Sequence, residues 1–139
     1  MALDYGTVRI GVAISDERRI LARPLQTIKV QGWKKDRETL RALLAEHSVT
    51  EIVVGLPLNM DGSVGVAAKR VERFMNRLRG VFKLPVVAHD ERLSSVAAAE
   101  TLSIVGVRRG RRKGLMDAVS AAHILQEYLD QCSKEHRPV

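Results

Sequence analysis

Cysteine is almost missing from this chain. Cys132 is the only one in 139 residues, so no internal disulfide can brace the fold, and no Cys/His grouping has zinc-site spacing. Aromatic residues are scarce as well, at 4%: Tyr5, Trp33, Phe74, Phe82 and Tyr128. A protein that reads single-stranded bases by stacking offers several exposed rings, so stacking is not expected to dominate recognition here. No segment approaches the roughly 20 apolar residues of a membrane span, and Met1-Ala2-Leu3-Asp4 does not read as a signal peptide. Internal repeats and low-complexity linkers are absent. The expectation is a cytoplasmic protein with no membrane attachment. It has one domain over residues 1–132, large enough to bury a core without staples, and a frayed tail over 133–139.

What the chain does have is positive charge. Twenty-three Lys+Arg against sixteen Asp+Glu give a net +7, an excess that attracts polyanions and speeds their encounter. With few rings available, such a partner is expected to be held by its phosphates.

Hydrophobic periodicity gives the element order. Met1–Asp4, Arg9–Ser15 and Leu25–Val30 read as short strands separated by turns at Gly6 and at Asp16–Arg19, and connections this short favour antiparallel neighbours. From Trp33 the period becomes helical, with Leu40, Leu43 and Leu44 on one face. Ile52-Val53-Val54-Gly55-Leu56 is an unbroken apolar run, as expected of a buried parallel strand. A loop at Pro57–Gly62 leads to a helix with Ala67, Val71, Phe74, Met75 and Leu78 inward. Leu84–Ala88 reads as a fifth strand. Ser94 or Ser95 can cap a helix reaching Val105, and a basic loop from Val107 to Gly114 precedes a last helix with Leu115, Ala118, Val119, Ala122, Leu125 and Leu129 on one stripe. Three meandering strands followed by βαβαβ imply an α/β fold, a mixed five-stranded sheet with helices on both faces. That layout matches the ribonuclease-H-like fold.

Three acidic positions stand out against the basic background. Asp4 ends the first strand, Asp90-Glu91 follows the fifth, and Asp117 lies in the expected first turn of the last helix. In this topology the carboxyl ends of strands one and five share one sheet edge, where open α/β sheets place ligands. Asp117 reaches that edge if the last helix packs across it. Carboxylates converging in a partly dry pocket repel one another, and a hard divalent cation, Mg²⁺ or Mn²⁺, resolves the repulsion. Two such ions about 3.5–4 Å apart can stabilise both the attacking and the leaving oxygen of a phosphodiester displacement. Each position also has a plainer reading. Asp117 can complement a helix macrodipole, Asp90-Glu91-Arg92 can pair its own charges, and Asp4-Tyr5-Gly6 can be a turn.

The motifs Asp4-Tyr5-Gly6…Arg9-Ile10-Gly11-Val12-Ala13, Val54-Gly55-Leu56-Pro57-Leu58-Asn59-Met60-Asp61-Gly62, Asp90-Glu91-Arg92-Leu93-Ser94 and Lys113-Gly114…Asp117…Ala121-Ala122…Ile124-Leu125 resemble the YqgF (RuvX) family. They span almost the whole chain in the family's order. The resemblance implies a fold similar to that of the junction resolvase RuvC. It implies a nuclease that processes the 5′ end of pre-16S rRNA in ribosome biogenesis, with four-way DNA junctions as the older proposed substrate. Carried over, Asp4, Glu91 and Asp117 would be the catalytic and metal-binding acids, with Asp90 as the alternate to Glu91. Val8 stands where the family commonly has Lys, and Ser95 where it commonly has Thr. The segment before Asp4 is shorter than usual.

Substrate contacts are expected from Arg108, Arg109, Arg111, Arg112 and Lys113, the densest charge in the chain, and from Asn59 with the loop amides around it. Lys69, Arg70, Arg73 and Arg77 read as a solvated helix face, and His89 as a hydrogen-bonded strand-end histidine. The expected partner is RNA, with structured or single-stranded DNA as alternatives. Junction resolution would need a stable dimer, whereas the sequence shows no obvious dimer helix and reads as a monomer or weak homodimer. An actin-like ATPase also opens on an Asp-x-Gly-Thr turn but needs two such domains. A non-catalytic nucleic-acid-binding protein would not keep three acids beside a phosphate.

Overall fold

The computed structural model describes residues 1–91 and 109–135, with side chains in the last helix described from 116 to 133. Its elements run β1 (Ala2–Tyr5), β2 (Arg9–Ser15), β3 (Ala22–Lys29), α1 (Trp33–Glu46), β4 (Ile52–Leu56), α2 (Val66–Val81), β5 (Val86–Asp90) and α3 (Arg109–Glu135). The sheet order is β3-β2-β1-β4-β5, with β1 central. β2 pairs antiparallel to both β1 and β3, while β1, β4 and β5 are parallel. The expected mixed sheet and its ribonuclease-H-like order are therefore present.

Strand alternation sorts the core into two layers. Leu3, Ile10, Val12, Ile52, Val54 and Val86 face α1 and α2, packing on Leu40, Leu43, Val71, Phe74, Met75 and Leu78. Ala2, Ala13 and Val53 point the other way, onto Ala121, Ile124, Leu125 and Leu129 of α3. The Tyr5 ring stacks on Phe74 at 4.1 Å between centroids, and Trp33 meets the same ring edge-on at 6.1 Å. These contacts fix the end of β1 and the start of α1 against α2.

The α3 layer is close because its contact residues are small. A Cβ on Gly11 of β2 would run into the backbone carbonyl of Asp117, and one on Gly55 of β4 would meet the Glu91 carboxylate and the Ile124 side chain. A strand glycine of this kind permits close backbone approach. It brings α3 across the sheet at the level of Asp4.

Several boundaries differ from the sequence reading. β3 begins at Ala22, three residues early, because it pairs with β2 as far as Ser15↔Ala22 across an irregularity at Val12/Ala13. Pro24 is tolerated there because β3 is an edge strand. β5 runs Val86–Asp90 in register with Ile52–Leu56, so Asp90 is the last strand residue rather than a loop residue. In α2 it is Ala68, not Ala67, that is buried. In α3, Ala121 and Ile124 take buried places while Val119 and Ala122 are only half-buried. The stretch from Arg109 to Gly114, read as a loop, forms the first turns of α3. Arg, Lys, Leu and Met are good helix formers, and they outweigh the breaker signal of Gly110 and Gly114. α3 also continues through Glu135, three residues into the expected tail. The helix expected over Ser94–Val105 lies outside the described residues.

Candidate active site

Asp4 is placed by pairing with Gly11 in the antiparallel β1–β2 ladder. Alternation puts it on the α3 side, like Ala2. Its carboxyl is pushed up to about 6, first by burial and then by the nearby charge of Asp117. Glu91 extends β5 by one hydrogen bond, its N–H donating to the Leu56 carbonyl at 3.2 Å. Its side chain lies over Gly55, in the space a larger residue would fill. Burial, then Asp4, then Asp90 push its carboxyl up to about 7. Asp90 itself is solvent-exposed at the strand end.

Asp117 comes from the third turn of α3, eight residues after Arg109. The macrodipole explanation needs a position in the first turn, so it does not apply. Its Oδ2 accepts a hydrogen bond from Arg9 Nε at 2.6 Å, the two side chains being 27% and 37% exposed. The sequence places Arg9 in a motif but assigns it no partner. The pair spans 108 residues of sequence, so no local pattern signals it.

The structure thus makes Asp4 a neighbour of both Asp117 and Glu91. Among the described residues, no three Asp, Glu, His or Cys side chains converge closely enough to enclose an ion. The donor chemistry nonetheless suits a hard divalent cation. The groups that meet are carboxylates, and two of them hold protons more tightly than usual because burial, and then neighbouring carboxylates, disfavour their charged forms. His89 is not aimed at them. It is buried and shares a 2.9 Å hydrogen bond with Glu127 of α3, in line with its reading as a hydrogen-bonded strand-end histidine.

Asn59 closes its own loop. Its Nδ2 donates to Ser63 Oγ at 2.9 Å, its backbone N–H donates to the Ser63 carbonyl, and its carbonyl accepts from Gly62, whose φ is 87°. Asp61 Oδ1 accepts from both Ser63 N and Oγ. Here the side chain of Asn59 serves the turn. Arg108 lies outside the described residues, and so do the side chains of Arg109, Arg111, Arg112 and Lys113. The backbone of the last four occupies the N-terminal turns of α3. Lys69, Arg70 and Arg73 have no ion pair among the described residues, and Arg77 lies over the Trp33 ring.

A family model described as "RuvX: Holliday junction resolvase" matches residues 1–131. Relatives named "Putative pre-16S rRNA nuclease" align over nearly the full chain. The Syntrophus aciditrophicus protein is 40% identical over 138 residues, covering 99% of this chain and 92% of the relative. The Geobacillus kaustophilus protein is 46% identical over 132 residues, covering 94% and 96%. The Myxococcus xanthus protein is 44% identical over 138 residues, covering 99% and 89%. Among solved structures, Thermus thermophilus RuvC, determined in complex with a Holliday junction substrate, superposes with a TM-score of 0.59 at 16% identity. That match covers 99% of this chain and 97% of RuvC, a likeness of fold.

Proposed function

The chain belongs to the RuvX family, and from that premise we propose that it is a divalent-metal-dependent nuclease that hydrolyses phosphodiester bonds in the 5′-end processing of pre-16S rRNA. The observation that carries this reading is the meeting of Asp4 and Glu91, both with raised proton affinity, beside Asp117 at one sheet edge. The +7 net charge supplies the attraction for a polyanion.

Asp4, Glu91 and Asp117 would hold the metal, Mg²⁺ or Mn²⁺, through carboxylate oxygens. A cation bound there supplies Lewis-acid polarisation of the phosphate and an activated water. The chain's own contribution is placement. Two strand ends fix Asp4 and Glu91, while Gly11 and Gly55 admit α3 and the Glu91 side chain to the same level. Both raised carboxyls must lose their protons to ligate, so metal binding releases protons. The basic segment at Arg109, Arg111, Arg112 and Lys113 positions the nucleic-acid backbone, because phosphate contacts set register without reading sequence.

The family description favours a second substrate, the four-way DNA junction. The deciding experiment compares cleavage of a pre-16S-like RNA with that of such a junction, in Mg²⁺, in Mn²⁺ and in EDTA. The expected outcome is RNA cleavage that EDTA abolishes and that Asp4→Asn, Glu91→Gln and Asp117→Asn each eliminate in a folded protein. Cleavage undiminished in EDTA, or wild-type turnover in Asp4→Asn, would refute the metal-site reading. Preference for the junction would move the substrate to DNA.

A further inference from the structure

Of the three carboxylates, only Asp117 has an ion-pair partner among the described residues, and that partner is Arg9. Arg9 opens β2 directly after the Gly6 turn, whose N–H donates to the Arg9 carbonyl. Its guanidinium is placed by Asp117, the carboxylate whose charge acts on Asp4. It offsets the charge of Asp117, which repels Asp4 as Asp4 in turn repels Glu91.

The pair is not needed to hold α3 in place. Gly11 already admits the Asp117 backbone against β2, and Ala118, Ala121, Ile124 and Leu125 are buried beneath the helix. Both partners are also partly exposed. Such pairs are weak and their side chains can change partner.

We propose that Arg9 is a substrate-positioning residue that changes partner in the working cycle. It holds Asp117 while the site lacks a cation, gives Asp117 up when a divalent ion binds, and turns to a non-bridging phosphate oxygen of the nucleic acid. This rests on the metal-dependent nuclease reading of the same site. The physical reason is charge balance. A divalent cation at Asp117 makes the guanidinium surplus there and repels it, while an incoming phosphate adds negative charge at the same edge. The planar guanidinium fork fits a phosphate as well as it fits a carboxylate.

The test starts without nucleic acid. Mn²⁺ is titrated calorimetrically into the metal-free full chain for wild type, Arg9→Gln and Arg9→Lys. If Arg9 competes with the cation for Asp117, Arg9→Gln should bind Mn²⁺ about two- to fivefold more tightly, the scale of a partly exposed ion pair that no longer has to be broken. Arg9→Lys, which keeps the charge but not the fork, should fall between the two and serves alone if the glutamine variant does not fold. At saturating Mn²⁺, Arg9→Gln should then raise KM for nucleic acid several-fold, with partial rescue by lysine. Unchanged or weaker Mn²⁺ affinity in Arg9→Gln overturns the exchange and leaves an ordinary structural ion pair. Tighter Mn²⁺ with unchanged KM overturns the phosphate contact. A wild-type chain that binds no Mn²⁺ overturns the underlying metal reading and this inference with it.

Discussion

Replacing Asp4 with Asn should make the metal-free protein more stable even as it removes the proposed activity. Burial and the charge of Asp117 lift the Asp4 carboxyl from its usual 3.8 to about 6. Ionising it in the metal-free fold therefore costs roughly 3 kcal/mol, at 1.36 kcal/mol per unit. The folded-state value lies above the unfolded one, so between pH 4 and 6 the folded chain holds more protons and its stability falls as pH rises. Above about pH 6 the penalty is complete, and below about pH 4 it is absent. Asparagine keeps the shape and carries no charge, though its amide still loses solvent at about 1 kcal/mol. The net gain is about 2 kcal/mol at pH 8, or roughly 6–8 °C in melting temperature for a domain of this size. Thermal and urea denaturation in EDTA, at pH 8 and pH 4, measure it directly. The variant should be the more stable at pH 8 and should lose that advantage at pH 4, where the desolvated amide leaves it slightly less stable than wild type. Saturating Mg²⁺ should reverse the order, since only the wild type gains the binding free energy of the ion. A variant no more stable than wild type at pH 8, or one whose advantage persists at pH 4, would show that Asp4 is not held in a charge-strained site.

Gly11→Ala places a methyl where the Asp117 carbonyl lies. It should lower stability by about 2–3 kcal/mol and, by displacing α3, reduce cleavage far more than it reduces nucleic-acid binding; denaturation and gel-shift assays separate the two. Mn²⁺ affinity should rise from pH 5.5 to 7.5 as the Asp4 and Glu91 carboxyls, at about 6 and about 7, give up their protons. Calorimetry in buffers of different ionisation enthalpy should count the released protons, and pH-independent affinity would remove these two acids from the ligand set. Changing Arg109, Arg111 and Arg112 together to Ala should weaken binding to many sequences alike and flatten the log-affinity against log-salt slope by roughly 0.7 per lost single-strand phosphate contact. Salt-dependent titrations read this, and an unchanged slope would assign the segment to solvated charge.

The parts of the fold that sequence conveys well are those whose hydrophobic pattern is determined by local burial. β2 and β4 appear with the expected bounds, because Ile10–Ile14 and Ile52–Val54 are buried. The start of β3 is hidden in the sequence because an edge strand with exposed Arg23 and Pro24 lacks that pattern. β5 shifted because its register is set by β4 rather than by its own apolar run at Leu84-Pro85. Asp4 was visible as a charge ending a core strand. That Glu91, rather than Asp90, lies over Gly55 beside Asp4 depends on side-chain alternation across a strand end, which a sequence supplies only as an adjacent pair. The pairing of Arg9 has no sequence signal because its partner is set by the docking of a helix more than a hundred residues away.

The seam between α3 and the sheet has a meaning for anyone wishing to move this site elsewhere. Gly11, Gly55, Ala2, Ala13, Ala118 and Ala121 bear no reactive group, yet the gap between Asp4 and Asp117 is set by the atoms these residues omit. Transplanting the three acids onto another parallel sheet would carry over the reagents and leave behind the spacing. A search for functional positions that ranks residues by chemical reactivity would also pass over Gly11 and Gly55, the two places where adding one carbon would most directly push the acids apart.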